Sequence, residues 1–487
     1  MKANRIIIAL VMLMAGMSSC QDWFDVSPKA DVKAEDMFEA ESGFRDILTG
    51  VYGLMIHENL YGRQLTFGYT DVLAQYYNQI TTQEHEYIKT VDFKYNEPVD
   101  KAVIEKIWST QYKAIANLNT LLAYIDKKQE VFSSDAIYRI YKGEALALRA
   151  FLHFDLLRLY GPSPAVGKEH KAIPYMEEFT NIASRRLTVN QVLEKVAADL
   201  NKARELMREV DSYGPNYADL EETYAQDKRL KNRRFHLNYY AATALLARVQ
   251  LYAGNTTEAL AAAREIIGTA ETLPVAPFEL VTEVTSADRL FQNELLFGLE
   301  MKQMKVVISD YFGEAASKAN LNNNTHMLAF SVSAQNNLFA PQNPADDDYR
   351  LKIWFKETSS NVANMSNKFE GVEMMPLIRI SELYYIAAEC LGGKEGLAYL
   401  NKIRAYRGLK ALTDDSTLQN EIYKEYCKEF LNEGQMFYYY KRKYLSQLGV
   451  FKSKAIDPEA VYMLPLPVDE QAVSYTHLRA HETRSNL

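Results

Sequence analysis

Apolar residues recur every three or four positions over long stretches from Val103 onward, and strictly alternating stretches are few. Spacing of three or four places apolar side chains on one face of an α-helix, whereas a half-buried strand needs alternation. The pattern predicts helices within residues 104–126, 133–161, 187–207, 238–254, 255–268, 376–391, 396–406 and 418–445. We therefore expect a mostly α protein.

Short polar turns join several of the predicted helices, which favours antiparallel pairing of neighbours. The segment Ala244–Ile267 resembles a tetratricopeptide repeat, with Ala247 where a small side chain lets paired helices approach and Gly254 at the turn. It lacks the large aromatic residue expected near Ala263, and the closing proline is missing from its usual place. The sequence thus predicts degenerate, repeat-like helix pairs.

The helical pattern loosens between Glu271 and Met375 into a polar stretch rich in Asn, Ser and Asp. A structureless loop of that length is uncommon inside a compact domain. We therefore expect residues 271–375 to form a loop-rich inserted subdomain with short strands and turns. It would separate helix pairs at 103–270 from those at 376–445.

The amino terminus has the pattern of a secretory signal. Lys2 and Arg5 precede the apolar run Ile6–Met14, which is too short to span a bilayer. The residues "MSSC" that follow resemble the lipobox of bacterial lipoproteins, which implies removal of residues 1–19 and acylation of Cys20. Acyl chains can hold a soluble domain on a membrane without a spanning helix.

The last residues, 473–487, read "VSYTHLRAHETRSNL" and match the translation of a transposase-end adapter used in sequencing libraries. The spacing of His477 and His481 would suit a metal pair on a helix, but it carries no meaning if an adapter encodes them. We therefore exclude this tail from arguments about fold and function, and we expect the native domain to span residues 20–472.

Composition excludes some classes of partner and site. The 487 residues carry a net charge of −8, which argues against nucleic acid because phosphate binding needs clustered Lys and Arg. With Cys20 assigned to lipid, Cys390 and Cys427 are too few for a disulfide framework or a CxxC metal site. The sequence contains no GxSxG, HExxH, CxxC or GxGxxG motif, so we expect no catalytic residue, metal or cofactor.

The segment Phe67–Ile80, "FGYTDVLAQYYNQI", is the first candidate ligand-binding site. Sugars present apolar C–H faces with polar rims, so they need flat rings beside directional donors and acceptors. The segment offers this mixture in Tyr69, Asp71, Tyr76, Tyr77 and Asn78. The alternative is that its tyrosines pack onto the scaffold. Tyr311 and Trp354 are further candidates, from the inserted region.

Several segments together resemble the SusD/RagB family of surface glycan-binding lipoproteins of Bacteroidetes. After the lipobox come "DVSPKADVKAEDMF", "GFRDILTGVYGLM", "KGEALALRAFLHFDLLRLYGPSP", "LIRISELYYIAAEC", "GLAYLNKIRAYRGL", "EYCKEFLNEGQMFYYYKRK" and "VYMLPLP", in the order of the family. The resemblance covers residues 20–472. It implies a helical scaffold of degenerate tetratricopeptide pairs with a loop-rich ligand face.

The resemblance also implies a role. Members of the family are not enzymes, and they cover a SusC-like TonB-dependent transporter that imports oligosaccharides or peptides. Asp22 and Asp25 look like the family's surface-export signal, which implies a lipid-anchored protein on the outer membrane, facing the cell exterior. In this family an acidic residue followed by aromatics contributes to the ligand face, and Asp71 followed by Tyr76 and Tyr77 is similar.

Three alternatives to glycan capture stay open at this point. The ligand of a family member can be a peptide, and a tetratricopeptide-like scaffold can bind protein partners. With 63 Asp and Glu residues, a pair of carboxylates suited to glycoside hydrolysis also stays open, although nothing in the sequence singles out two of them.

Overall fold

The structure is a computed structural model of the chain. It describes residues 35–470 apart from residues 81, 180–183, 217–219, 221–229, 231–232, 273–275, 282–284, 286, 314–324, 358–362, 450–452 and 469. The predicted signal segment, Cys20 and the predicted adapter segment lie outside the described residues.

Helices dominate the described residues, which confirms the predicted fold class. They are α1 Glu41–Met55, α2 Tyr69–Leu73, α3 Pro98–Ile125, α4 Asp135–Tyr160, α5 Pro164–Gly167, α6 Val189–Met207, α7 Tyr239–Ala253, α8 Thr256–Thr272, α9 Met304–Phe312, α10 Val332–Leu338, α11 Tyr349–Ile353, α12 Ile380–Leu391, α13 Gly393–Tyr406, α14 Leu418–Glu429, α15 Met436–Lys443 and α16 Pro458–Val461. In the part of the chain that is described, no helix is both long and apolar enough to cross a membrane.

Short strands make up the remaining regular structure. They are β1 Leu295–Glu300, β2 Ala329–Ser331, β3 Phe355–Glu357, β4 Ala363–Ser366, β5 Met374–Arg379, β6 Gln447–Leu448 and β7 Lys454–Ala455. β1 pairs antiparallel with β5, β2 and β3 both pair antiparallel with β4, and β6 pairs antiparallel with β7. Since β5 runs directly into α12, the β1–β5 ribbon joins the loop-rich region to the helical scaffold.

Helix ends follow from capping residues that the sequence displays. Ser134 accepts the Ile137 N–H at 3.2 Å to begin α4, and Asn238 accepts the Ala241 N–H at 2.8 Å to begin α7. Gly254 ends α7 with φ of +82°, a left-handed conformation that glycine adopts without strain. α7 and α8 pack against each other across this turn, as the repeat-like pattern predicts.

One predicted helix is wrong. The sequence pattern predicts a single helix through 418–445, but the chain turns between α14 and α15. Asn432 and Gly434 have φ of +64° and +71°, outside the helical region. A Cβ on Gly434 would lie 2.1 Å from the Leu65 carbonyl oxygen, so this close approach requires glycine.

α4 is buried on nearly all sides from Gly143 to Tyr160, so its polar side chains need partners. Arg149 donates to both carboxylate oxygens of Asp199, at 2.7 and 2.8 Å. His153 accepts the Met176 N–H at 2.9 Å, and burial lowers its pKa to about 3. His153 is therefore a neutral, packed residue.

A buried ionic network joins the loop-rich region to the helices. The Glu429 carboxylate accepts from Arg350 of α11 at 3.0 Å, from Arg379 of β5 at 2.5 Å and from Arg407 after α13 at 2.7 Å. These four side chains are at most 1% exposed. Burial alone would raise the pKa of Glu429, but the charges of Arg407 and Arg379 hold it well below its ordinary value.

Candidate functional site

The segment Phe67–Ile80 begins with α2 and continues as an extended stretch. The rings of Tyr69 and Tyr76 are fully buried, and Tyr77 is nearly so. A buried ring offers no face on which a sugar can stack. The ligand-contacting role predicted for these three residues is therefore corrected, because they pack onto the scaffold as in the alternative interpretation.

The hydroxyl groups of Tyr76 and Tyr77 connect the segment to the region around the end of α14. Tyr76 donates to the Cys427 carbonyl at 2.8 Å, and Tyr77 donates to the Phe67 carbonyl at 2.7 Å. The Asn432 amide nitrogen in turn donates to the Tyr77 hydroxyl at 2.6 Å. The segment thus fixes the turn between α14 and α15.

Asp71 and Asn78 have structural partners too. Asp71 is fully buried, and its carboxylate accepts the Gly434 N–H at 3.1 Å. Asn78 is half-buried and makes two hydrogen bonds with Ser331, accepting its N–H at 2.7 Å and donating to its hydroxyl at 2.8 Å. These contacts correct the predicted ligand role of Asp71 and show Asn78 fastening the loop-rich region to the segment.

Asp71→Asn should make the stability of the protein less dependent on pH. Burial raises the pKa of Asp71 well above its ordinary value. A carboxyl whose pKa is raised on folding stabilises the fold fully below its unfolded pKa, and that stability is lost as pH rises through the folded pKa. Asparagine keeps the acceptor for the Gly434 N–H without the charge. We expect the variant to gain free energy of unfolding relative to wild type between about pH 4.5 and about pH 8.

Denaturant titration at the two pH values measures this difference. Asp46→Asn in α1 is a matched control, because Asp46 is largely exposed. An equal offset between Asp71→Asn and wild type at both pH values would contradict the expectation.

Trp354 and Tyr311 come from the loop-rich region, and both are buried. The indole N–H of Trp354 donates to the Arg289 carbonyl at 2.7 Å, and the Lys368 ammonium lies 3.9 Å from the ring centroid. Trp354 is therefore a core residue, contrary to its predicted role. Tyr311, at the end of α9, is 4% exposed, but it lies beneath groups that reach the surface.

We call these groups, Arg63, Glu86, Tyr311 and His326, the Tyr311 cluster. The Arg63 guanidinium donates to the Tyr311 hydroxyl, and it lies 3.4 Å from the Glu86 carboxylate. The other carboxylate oxygen of Glu86 lies 3.1 Å from Nδ1 of His326. His326 is 51% exposed and Glu86 is 22% exposed, so the cluster presents charged and hydrogen-bonding groups to solvent.

Backbone contacts set the geometry of the Tyr311 cluster. The Glu86 N–H donates to the Thr325 carbonyl at 3.1 Å, and His85 Nε2 lies 3.1 Å from the Met327 carbonyl. Burial, together with the negative charge of Glu86, raises the pKa of Tyr311, which keeps its hydroxyl protonated. The cluster can therefore offer a guanidinium donor, a carboxylate acceptor and an imidazole within a fixed arrangement.

Sequence reasoning found only Tyr311 of this cluster. Arg63, Glu86 and His326 are isolated in the chain, and Tyr311 is separated from Arg63 by 248 positions. No motif or spacing marks these residues, because only contacts between distant parts of the chain bring them together. The sequence signal for this cluster was the tyrosine in "SDYFGEA", which is Tyr311.

No metal-binding group of three or more His, Cys, Asp or Glu side chains occurs among the residues that the structure describes. The aspartates of "PADDDYR" have other partners: Asp348 pairs with Arg350 at 2.8 Å and Asp347 pairs with Lys352 at 2.6 Å. These contacts make the segment an ion-paired turn in which Arg350 is buried.

Comparison with known protein families matches both parts of the chain. Residues 22–218 match a family model described as starch-binding and associating with the outer membrane, named SusD-like. Residues 287–461 match the SusD/RagB model, described as the SusD family. The resemblance stated from the sequence motifs is therefore confirmed.

Individual relatives agree with this match. SusD-like protein P25 of Formosa agariphila is 24% identical over 164 residues, which are 32% of this chain and 30% of that protein. A SusD superfamily structure from Bacteroides thetaiotaomicron aligns with a TM-score of 0.71 at 24% identity, covering 89% of this chain and 98% of that one. A laminarin-binding SusD-like protein aligns with a TM-score of 0.62 at 17% identity, covering 89% and 98%. These structural likenesses establish the shared fold.

Proposed function

The chain belongs to the SusD/RagB family, and from this premise we propose that it is a cell-surface glycan-binding lipoprotein that delivers its ligand to a TonB-dependent transporter. The match of both parts of the chain to the family models carries the proposal. One model is described as starch-binding and outer-membrane associated, and a neighbour in structure binds laminarin. Both descriptions concern binding, not catalysis.

We place the ligand at the Tyr311 cluster. Its guanidinium, carboxylate and imidazole groups are the directional donors and acceptors that sugar hydroxyls require. Phe67 lies behind Tyr311 at a ring-centroid distance of 5.6 Å, and the Arg63 guanidinium lies 5.6 Å from the Tyr311 centroid. The buried rings thus support the polar groups in a fixed position, which lowers the ordering cost of binding.

Delivery of the ligand to a transporter requires that transporter as a partner protein. We propose a SusC-like barrel in the outer membrane, with this protein as its lid. Purification of the tagged, lipidated protein from its native membrane tests the partnership, because a TonB-dependent transporter should copurify in stoichiometric amount. Recovery of the protein without any outer-membrane barrel, from membranes where that barrel is expressed, would contradict it.

Cys20→Ala should release the protein from the outer membrane. An acylated cysteine anchors through buried methylene groups, each contributing roughly 0.8 kcal/mol, and alanine cannot carry the chains. Detergent phase partitioning of cell fractions measures the change, and Cys390→Ala is the control because Cys390 lies within the folded domain. Retention of Cys20→Ala in the detergent phase would contradict acylation at this position.

Peptide binding, protein scaffolding and glycoside hydrolysis are the competing functions. Calorimetry separates the first two from glycan capture, since peptides or a protein partner would bind while polysaccharides would not. Release of reducing sugar by purified protein would favour hydrolysis. We expect binding of at least one polysaccharide with no release of reducing sugar.

A further inference from the structure

A large groove lies along α3, and none of the Tyr311 cluster residues lines it. Its volume is about 910 Å³, within the range of roughly 300–1,000 Å³ common for small-molecule sites. We propose that this groove is a second glycan-binding site, specific for uncharged oligosaccharides. The ligand class rests on the proposed function, whereas the location rests on the groove itself. Residues that line it include Lys106, Trp108, Tyr112, Glu178, Phe179 and Val468.

Aromatic side chains in the groove can stack against a sugar, and they differ in how exposed they are. Phe179 is 67% exposed, which leaves its ring face open to a ligand. Tyr112 is half-buried, and its ring centroid lies 4.7 Å from that of the buried Trp108. Flat rings of this kind match the apolar C–H faces of a sugar.

Hydrogen bonds hold the opposite wall in place. The Tyr112 hydroxyl donates to the Pro174 carbonyl at 2.8 Å, and the Asn119 amide donates to the Met176 carbonyl at 2.9 Å. The Met176 N–H is bound by the imidazole of His153 on α4. The stretch that leads to Phe179 is therefore tied to two long helices. A preformed wall lowers the entropy lost when a ligand binds.

The charges along the groove select the kind of glycan. Among the described residues, the groove is lined by three glutamates, Glu105, Glu178 and Glu470, and by one lysine, Lys106. Glu105, Lys106 and Glu178 are exposed, so they can meet sugar hydroxyls as acceptors and donors. The excess of carboxylates disfavours uronic acids and sulfated sugars by like-charge repulsion. An uncharged oligosaccharide fits this lining.

Phe179→Ala tests the groove directly, because an exposed side chain can be removed without disturbing the core. Calorimetry would use short oligosaccharides prepared from laminarin and from starch, with oligogalacturonate as the acidic comparison. We expect wild type to bind an uncharged oligosaccharide, and Phe179→Ala to weaken that binding at the groove at least tenfold. Oligogalacturonate should not bind in the groove. Val166→Ala, another exposed apolar residue outside the groove, should leave binding unchanged.

The result distinguishes a failure of the groove proposal from a failure of glycan capture. If wild type binds an oligosaccharide and Phe179→Ala binds it identically, the groove proposal is overturned while glycan capture stands. If wild type binds none of these oligosaccharides, the groove proposal is overturned, whereas glycan capture is decided by a wider panel of polysaccharides. A groove that prefers oligogalacturonate would overturn the proposed specificity for uncharged sugars.

Discussion

Replacing Arg63 and His326 together by alanine is expected to weaken binding of the recognised glycan roughly a hundredfold. A hydrogen bond to the charged guanidinium of Arg63 contributes about 1.5–3 kcal/mol and one to the imidazole of His326 about 0.5–1.5 kcal/mol, so losing both costs about 3 kcal/mol. That free energy corresponds to roughly two orders of magnitude in Kd. Calorimetry with the polysaccharide that wild type binds best measures the change.

The interpretation of this double variant depends on intact folding. The unfolding midpoint should therefore be measured beside the affinity, since Arg63 also contacts Glu58 and Glu86. Arg45→Ala in α1 is a matched control, because Arg45 is an exposed arginine outside the cluster. Unchanged affinity in a folded double variant would show that the ligand does not bind at the Tyr311 cluster.

Glu429→Gln should be the most destabilising of the substitutions considered. Three arginines, Arg350, Arg379 and Arg407, converge on this carboxylate in the interior. Glutamine has nearly the same shape but no charge, so the substitution leaves buried positive charge without its central partner. Breaking a buried ion pair from one side costs about 3–5 kcal/mol. Denaturant unfolding should show a loss of that size.

Glu395→Gln in the first turn of α13 is the matched control, because Glu395 is exposed and should change the stability by no more than about 0.5 kcal/mol. A loss below about 1 kcal/mol for Glu429→Gln would mean that the network contributes little to folding. The loop-rich region should also become more accessible to protease in the variant, since Arg350 ties α11 to α14 through Glu429.

The helical scaffold was predictable because its signals are local. Apolar spacing located α4, and the cap residue Ser134 marked where it begins. The start of α3 was missed by several residues, since Pro98 opens it before the apolar spacing becomes regular. The break between α14 and α15 was missed although "NEG" stands in the sequence. Apolar residues on both sides of that turn continue the helical spacing.

The candidate site was not predictable in the same way, because it depends on contacts between distant positions. The chain contains 33 tyrosines, and those of Phe67–Ile80 were expected to form an aromatic ligand face. In the structure, many of these hydroxyl groups instead bind backbone carbonyls of other segments while the rings fill the core. Examples are Tyr76 with Cys427, Tyr95 with Val461, Tyr160 with Ile104 and Tyr462 with Leu445. Sequence alone cannot separate such tyrosines from exposed ones.

The roles of Asp71 and Asn78 illustrate the same limit. An acidic residue followed by aromatics fits a sugar site and a packed turn equally well. The hydrogen-bond partners of the two residues decide between these roles. Those partners, Gly434 for Asp71 and Ser331 for Asn78, lie 363 and 253 positions away along the chain. By contrast, the family motifs identified the fold class because they are local and occur in a fixed order.

Glycan binding by the purified protein tests the central claim most directly. Affinity electrophoresis against a panel of native polysaccharides, including starch and laminarin, is the decisive measurement. We expect at least one polysaccharide to retard the protein, and the Arg63→Ala, His326→Ala variant to be retarded less than wild type in the same gel. Unretarded migration of the wild-type protein on every polysaccharide, together with binding of peptides, would contradict the central claim.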